Sequence, residues 1–273
     1  MNQEELEIYR KNKSILFSIF LFGGIALFIL SIVLLINFSS EDFSTIFIIF
    51  AFVSIILTIV GSIVSYSSYS KKYREFINNL EQELMPEVYF NSGISPDYKT
   101  FMSPQFFRKP DRYTLSDYIY CDGELPWFSH TYLLEEMHRD KDGNISYQTY
   151  AKGKFYLFDF KREFNQIVRV TERSFFGNTV NITSLKPIET EYYEFNKKFK
   201  IQCSDPLTAF YILTPQIQEK IMEFEQSFDG KLFLSFQNSC LCVCLEGVEN
   251  YRSCNIYTSL NGNKINRIKT MIM

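Results

Sequence analysis

Two long runs without a charged side chain, Ile15 to Phe38 and Phe43 to Tyr66, constrain this chain more than any other feature. Each is 24 residues long. At about 1.5 Å per residue, a helix of that length crosses a hydrocarbon layer ~30 Å thick with some tilt. The connector Ser39-Ser40-Glu41-Asp42 is too short for anything but an antiparallel return. The pattern therefore predicts a transmembrane helical hairpin with both chain ends on one side. A cleaved leader is disfavoured, because the first apolar core far exceeds the usual ~7–15 residues and Leu34-Leu35-Ile36-Asn37 offers no small-x-small cleavage site.

Flanking charge sets the expected orientation. Arg10, Lys11 and Lys13 precede the first run, Lys71, Lys72 and Arg74 follow the second, and the connector has no Lys or Arg. The positive-inside rule places both termini in the cytoplasm of a multi-pass cell-membrane protein. All six cysteines (Cys121, Cys203, Cys240, Cys242, Cys244, Cys254) lie beyond the runs, where a cytoplasmic location keeps thiols reduced. The expected organisation is a cytoplasmic segment 1–14, the hairpin 15–66, a juxtamembrane helix and connector 67–112, and a cytoplasmic α+β domain 113–273.

Averages hide this division: mean hydropathy is -0.08 only because an apolar head is pooled with a polar remainder. From Lys71 onward, 25 basic residues face 26 acidic ones. So even a balance leaves no electrostatic footprint for nucleic acid. Aromatic residues at 17% also argue against intrinsic disorder. The apolar runs hold no Asp, Glu, His, Lys or Arg of the kind that pumps place within the bilayer, so they read as an anchor.

Beyond the runs, Lys71 to Met85 reads as a helix leaving the membrane. Phe76, Ile77, Leu80 and Leu84 form its apolar face, Glu75, Glu81 and Glu83 contribute charge, and Pro86 stops it. Ser95-Pro96 reads as the start of a short helix through about Met102. Turn signals at Asp122-Gly123 and Asp142-Gly143 separate Phe128 to His138 from Ile145 to Phe160, and Gln166 to Glu172 alternates; together they predict an antiparallel meander. Phe195 to Cys203 reads as a strand. Asp205-Pro206 and Thr214-Pro215 each open a helix, the second expected to bury Ile217, Ile221, Phe224 and Phe228. Lys231 to Gln237, a tight turn at Asn238-Ser239, and Cys240 to Leu245 predict a hairpin. Ile265, Ile268 and Ile272 could line a C-terminal helix.

The run from Ser204 to Phe236, SDPLTAFYILTPQIQEKIMEFEQSFDGKLFLSF, resembles the signature of a bacterial membrane-protein family catalogued as domain of unknown function 3137. Gly153 to Phe160, GKFYLFDF, is similar to that family's second signature, and Tyr73 to Phe76 fits its element after two membrane spans. The resemblance implies an integral membrane protein with a cytoplasmic α+β domain. It supplies no catalytic residues. Cys240 to Cys244 departs from the family pattern.

Chemistry-bearing patterns are few. Cys240, Cys242 and Cys244 share one strand face, without the C-x-x-C knuckle a zinc site favours. His130 and His138, eight residues apart on a strand, would sit roughly 27 Å apart at about 3.4 Å per residue. There is no phosphate-binding loop, no dinucleotide fingerprint, and no nucleophile elbow, so no cofactor or metal is expected. Asp159, interrupting an aromatic strand, is the one acid to suspect of lining a pocket. Lys71, Lys72 and Arg74 are candidates to contact anionic headgroups at about 1 kcal/mol each. Two functional classes remain. One is a noncatalytic anchored domain that binds another membrane protein or itself. The other is a membrane-tethered enzyme, or a domain binding lipid or a small ligand in an aromatic-lined pocket.

Overall fold

The computed structural model describes residues 2–37, 41–86, 88–90, 97–173, 180, 182–248 and 250–272. They form two compact units, residues 1–86 with 251–273, and residues 87–250.

The helical unit opens with a capping box. The Asn2 side chain accepts the Glu5 N–H while the Glu5 carboxylate accepts the Asn2 N–H. From there α1 (Gln3–Ser18), a π-helical turn (Ile19–Gly23) and α2 (Gly24–Asn37) make one helical run that starts well before the first apolar stretch. The second run lies in α3 (Glu41–Leu84), 44 residues without a break and about 66 Å long at 1.5 Å per residue. Small residues bring these helices together. A methyl added at Gly24 would lie 1.7 Å from Thr58 Oγ1, and one at Gly61 would lie 2.3 Å from the Phe20 ring. Contacts 20 to 61 and 24 to 58 run in opposite directions, so the helices are antiparallel. Ser31, Ser54 and Ser65 are buried in the same unit, and Ser31 and Ser54 donate to the carbonyls of Phe28 and Ala51 at 2.6 and 2.8 Å. Large apolar side chains such as Ile19, Phe22, Ile36, Phe52 and Ile63 point outward. Small inside and large outside is the reverse of a water-soluble core helix.

The unit's own core lies beyond the apolar runs. Leu6 of α1 and Tyr69, Tyr73, Ile77 and Leu80 of α3 pack with Tyr251, Ile256, Leu260 and the Ile265, Ile268 and Ile272 face of the C-terminal helix α8 (Gly262–Ile272). The α8 face is the predicted one.

The second unit is a seven-stranded antiparallel sheet. Its strands are β1 (Val88–Phe90), β2 (Arg112–Cys121), β3 (Trp127–Arg139), β4 (Ile145–Glu172), β5 (Lys186–Ile188), β6 (Phe199–Cys203) and β7 (Lys231–Glu246). Extended, 16 residues of β7 would hold its ends roughly 50 Å apart. Instead Lys231 Nζ lies 3.5 Å from Glu246 Oε2, and a methyl on Gly230 would lie 2.5 Å from the Glu246 carbonyl oxygen. So β7 doubles back at Asn238, whose φ of 53° is the left-handed conformation a tight hairpin turn requires. This is the predicted hairpin. Its second arm pairs with residues 153–159 of β4 and its first arm with residues 168–171. β4 must therefore reverse as well, its two arms enclosing the β7 hairpin, with β3 outside the first arm and β6 outside the second.

Alternation along these arms builds two cores. Leu232, Leu234, Val243 and Leu245 join Val168, Val170 and Ile201 under helices α5 (Tyr193–Lys198), α6 (Pro206–Ile212) and α7 (Pro215–Gln226). Phe233, Cys242 and Cys244 join Phe155, Tyr132 and Leu134 on the opposite face, with Phe101 of α4 (Tyr98–Met102), Phe106 and Phe107. Gly153 is required where β4 meets β7, since a methyl there would lie 1.8 Å from the Leu245 carbonyl oxygen.

Two expectations change, and a third falls outside the described residues. Residues 195–198 are helical, and only Phe199–Cys203 is strand. Phe195 is thereby buried from α5 and packs on Phe199, with ring centroids 4.8 Å apart. In α7, Ile221 is buried but Ile217 and Phe224 are 41% and 45% exposed. The face turned inward carries Gln218, which donates to the Leu213 carbonyl at 2.7 Å, and Glu225, which pairs with Lys198. Ser95-Pro96 lies outside the described residues; the observed cap of α4 is Asp97, whose carboxylate accepts the N–H groups of Lys99 and Thr100.

Candidate functional site

Where the second apolar run ends at Tyr66, α3 continues for a further 18 residues as a polar stalk. Its inner side carries Tyr69, Tyr73, Ile77 and Leu80 at spacings of four, four and three. This fixes the opposite side as solvent-facing. Lys71 and Arg74 stand exposed on it. Lys72 is committed to Glu75 at 3.0 Å. Lys71 and Arg74 make no ion pair among the described residues, and they line an open groove of about 430 Å³ with Tyr66, Ser67, Ser70, Glu75 and Asn78. Of the three predicted surface cations, the structure leaves two side by side and one neutralised.

Beside this groove lies a polar cluster that the sequence did not disclose. Glu81, expected on the charged face of the helix, is fully buried. Its carboxylate accepts Arg252 Nε at 2.8 Å and Tyr251 Oη at 2.9 Å, and it pairs with the Arg252 Nη2 group. Tyr73 Oη donates to the Tyr251 carbonyl at 2.6 Å. Arg10 is likewise taken up, paired with Glu7 at 2.8 Å and donating to the Ile256 carbonyl at 2.7 Å. These bonds hold the C-terminal tail to α1 and α3. Their tail partners lie 170 to 246 residues away in sequence, beyond any local pattern.

Asp159 sits half-buried at the end of the first arm of β4, in register with Cys240, and its N–H donates to the Pro126 carbonyl at 2.8 Å. Cys240, Cys242 and Cys244 do share one face. Burial pushes the Cys242 thiol up to about 12 and raises that of Cys244 well above its ordinary value, so both stay protonated within the aromatic core. Cys244 Sγ donates to Tyr132 Oη at 3.3 Å. His130 is 1% exposed among Phe101, Phe128 and Phe155, with ring centroids 5.4, 6.2 and 5.2 Å away. Neither of its ring nitrogens has a partner among the described residues, and burial lowers its pKa to about 4. His138, on the same strand, is exposed. Arg169, 1% exposed, donates to the carbonyls of Gln105 and Val180 and to Gln202 Oε1 at 3.0, 2.7 and 3.1 Å. These acceptors are neutral, so the guanidinium fastens two loops to the sheet.

Residues 149–272 match the model of a protein family of unknown function, DUF3137. The matched stretch makes up less than half of the chain. It takes in both arms of β4, the β7 hairpin, α5 to α7, and the tail that carries Arg252 and α8. No curated protein matches the chain. Among solved structures, the chain is similar to the crystal structure of the mycobacterial trehalose monomycolate transport factor A, TtfA. That likeness is 5% identical with a TM-score of 0.27, over 55% of this chain and 72% of the other, too distant to bear on fold or function. The DUF3137 match brings no assigned activity, so function rests on the geometry above.

Proposed function

We propose that the protein is an integral membrane protein whose two apolar helices anchor a noncatalytic interaction domain on the cytoplasmic side. The outward-facing large apolar side chains of α2 and α3 support the anchor, since burying them in lipid removes the cost of leaving them in water. Orientation with both ends cytoplasmic rests on Lys11, Lys13, Lys71 and Arg74, against a connector without Lys or Arg.

The observation that carries the interaction reading is the face of α6. Leu207, Phe210 and Tyr211, spaced i, i+3, i+4 on one side of this short helix, are 79%, 48% and 74% exposed. Three large apolar side chains on one side of a helix mark a surface that a protein partner covers. The partner is another membrane protein or a second copy of this chain. The test compares the full-length protein in detergent with a Leu207→Glu/Tyr211→Glu variant, by light scattering for self-association and by co-purification for other partners. Loss of a specific partner or of self-association, with Trp127 fluorescence unchanged, supports the reading. A monomer without specific partners that behaves identically in both forms overturns it.

A further inference from the structure

We propose that the groove on the α3 stalk is a binding site for the phosphate of an anionic lipid headgroup; this rests on the reading that α3 crosses the bilayer. Ser67, Ser70, Lys71, Arg74 and Asn78 follow one another at i, i+3, i+4, i+7 and i+11, a single stripe of hydrogen-bond donors along one face. The donors are the types that suit a phosphate: two hydroxyls, an ammonium, a guanidinium and an amide. Glu75 does not cancel the charge, because its carboxylate is held by Lys72.

Depth selects a lipid over a free anion. The apolar run ends at Tyr66. At about 1.5 Å per residue, Ser70 and Lys71 lie roughly 6 to 8 Å further along the axis and Arg74 roughly 12 Å. A headgroup layer is roughly 5 to 8 Å deep on each side of a ~30 Å hydrocarbon core. The hydroxyls and Lys71 therefore fall within the phosphate plane, and the flexible arm of Arg74 reaches back to it. The opposite side of the stalk is filled by Tyr69, Tyr73 and the C-terminal tail. The stripe is thus the side of the stalk presented to surrounding lipid headgroups.

The test uses full-length protein exchanged into mixed micelles of phosphatidylglycerol and phosphatidylcholine, with bound lipid counted by native mass spectrometry. Phosphatidylglycerol is retained over phosphatidylcholine by the natural chain. A Lys71→Gln/Arg74→Gln variant loses roughly 30-fold of that preference, two basic groups at about 1 kcal/mol each. Ser67→Ala/Ser70→Ala loses less. Inorganic phosphate added in excess leaves the lipid bound if the site reads a headgroup at the membrane surface. Its displacement of the lipid identifies a free-phosphate site and overturns the lipid assignment. Equal retention of both lipids, or an unaffected variant, overturns the site. Extraction of membranes at alkaline pH separates this outcome from failure of the anchor, because release of the natural chain into the supernatant would reject the span itself.

Discussion

His130 should make the stability of the sheet depend on pH in a narrow window. In the unfolded chain its imidazole takes a proton near 6.5; in the fold, burial among Phe101, Phe128 and Phe155 lowers this to about 4. Between those values the unfolded state binds more protons, so stability falls as pH drops. The contribution is complete above about pH 6.5 and is lost by about pH 4. That gap, at 1.36 kcal/mol per pH unit, amounts to about 3 kcal/mol. Replacing His130 with Leu removes the titrating group along with two unpartnered nitrogens, so stability at pH 7 should hold or rise slightly. Trp127, the single tryptophan of the chain, lies three residues away on β3 and reports the same region. Urea unfolding of the full-length protein in detergent, followed by Trp127 fluorescence at pH 7 and pH 4.5, should show a loss in the natural chain that is about 2 to 3 kcal/mol greater than in His130→Leu. Carboxylates titrate in both proteins and cancel in the difference. Equal losses in the two would refute the argument, showing that the imidazole finds a partner or water.

Two further outcomes follow from the helical unit. Arg252→Ala leaves the Glu81 carboxylate buried without its guanidinium, which should cost about 3 to 5 kcal/mol and free the C-terminal tail; protease cleavage or hydrogen exchange in residues 251–272 should rise sharply, while exchange in β3 stays slow. Gly61→Leu drives a side chain into the Phe20 ring and should push α3 off the first helix, so that cysteines placed at Ala51 and Ser31 for disulfide trapping shift in crosslinking efficiency; an unchanged pattern would argue against the close packing.

Local chemistry made much of the fold readable. Asp205-Pro206 and Thr214-Pro215 carry their caps in adjacent residues, and both helices start there. Asp142-Gly143 and Asn238-Ser239 supply the positive φ values of two turns at Gly143 and Asn238. The errors have a common origin. The apolar spacing of α7 pointed Ile217 and Phe224 inward, but Gln218 and Glu225 found partners in the Leu213 carbonyl and Lys198 and took that face instead. Glu81 looked like a surface charge because its partner, Arg252, belongs to the far end of the chain. For the candidate groove, Lys71, Lys72 and Arg74 were legible as a flanking cluster, whereas the neutralisation of Lys72 by Glu75 depends on side-chain geometry.

The sequence by itself determined the two apolar helices, the reversal between them and the turn chemistry of the sheet, because charge-free length, caps and turn dipeptides act over a few residues. Tertiary structure decided the rest: that β4 opens to enclose the β7 hairpin, that α6 leaves an apolar face uncovered, and that the tail after Asn250 packs with α1 and α3. Each of these is a choice among faces or partners that local propensity leaves nearly equal. Long-range burial and the need to give buried polar and charged groups hydrogen-bond partners break the tie.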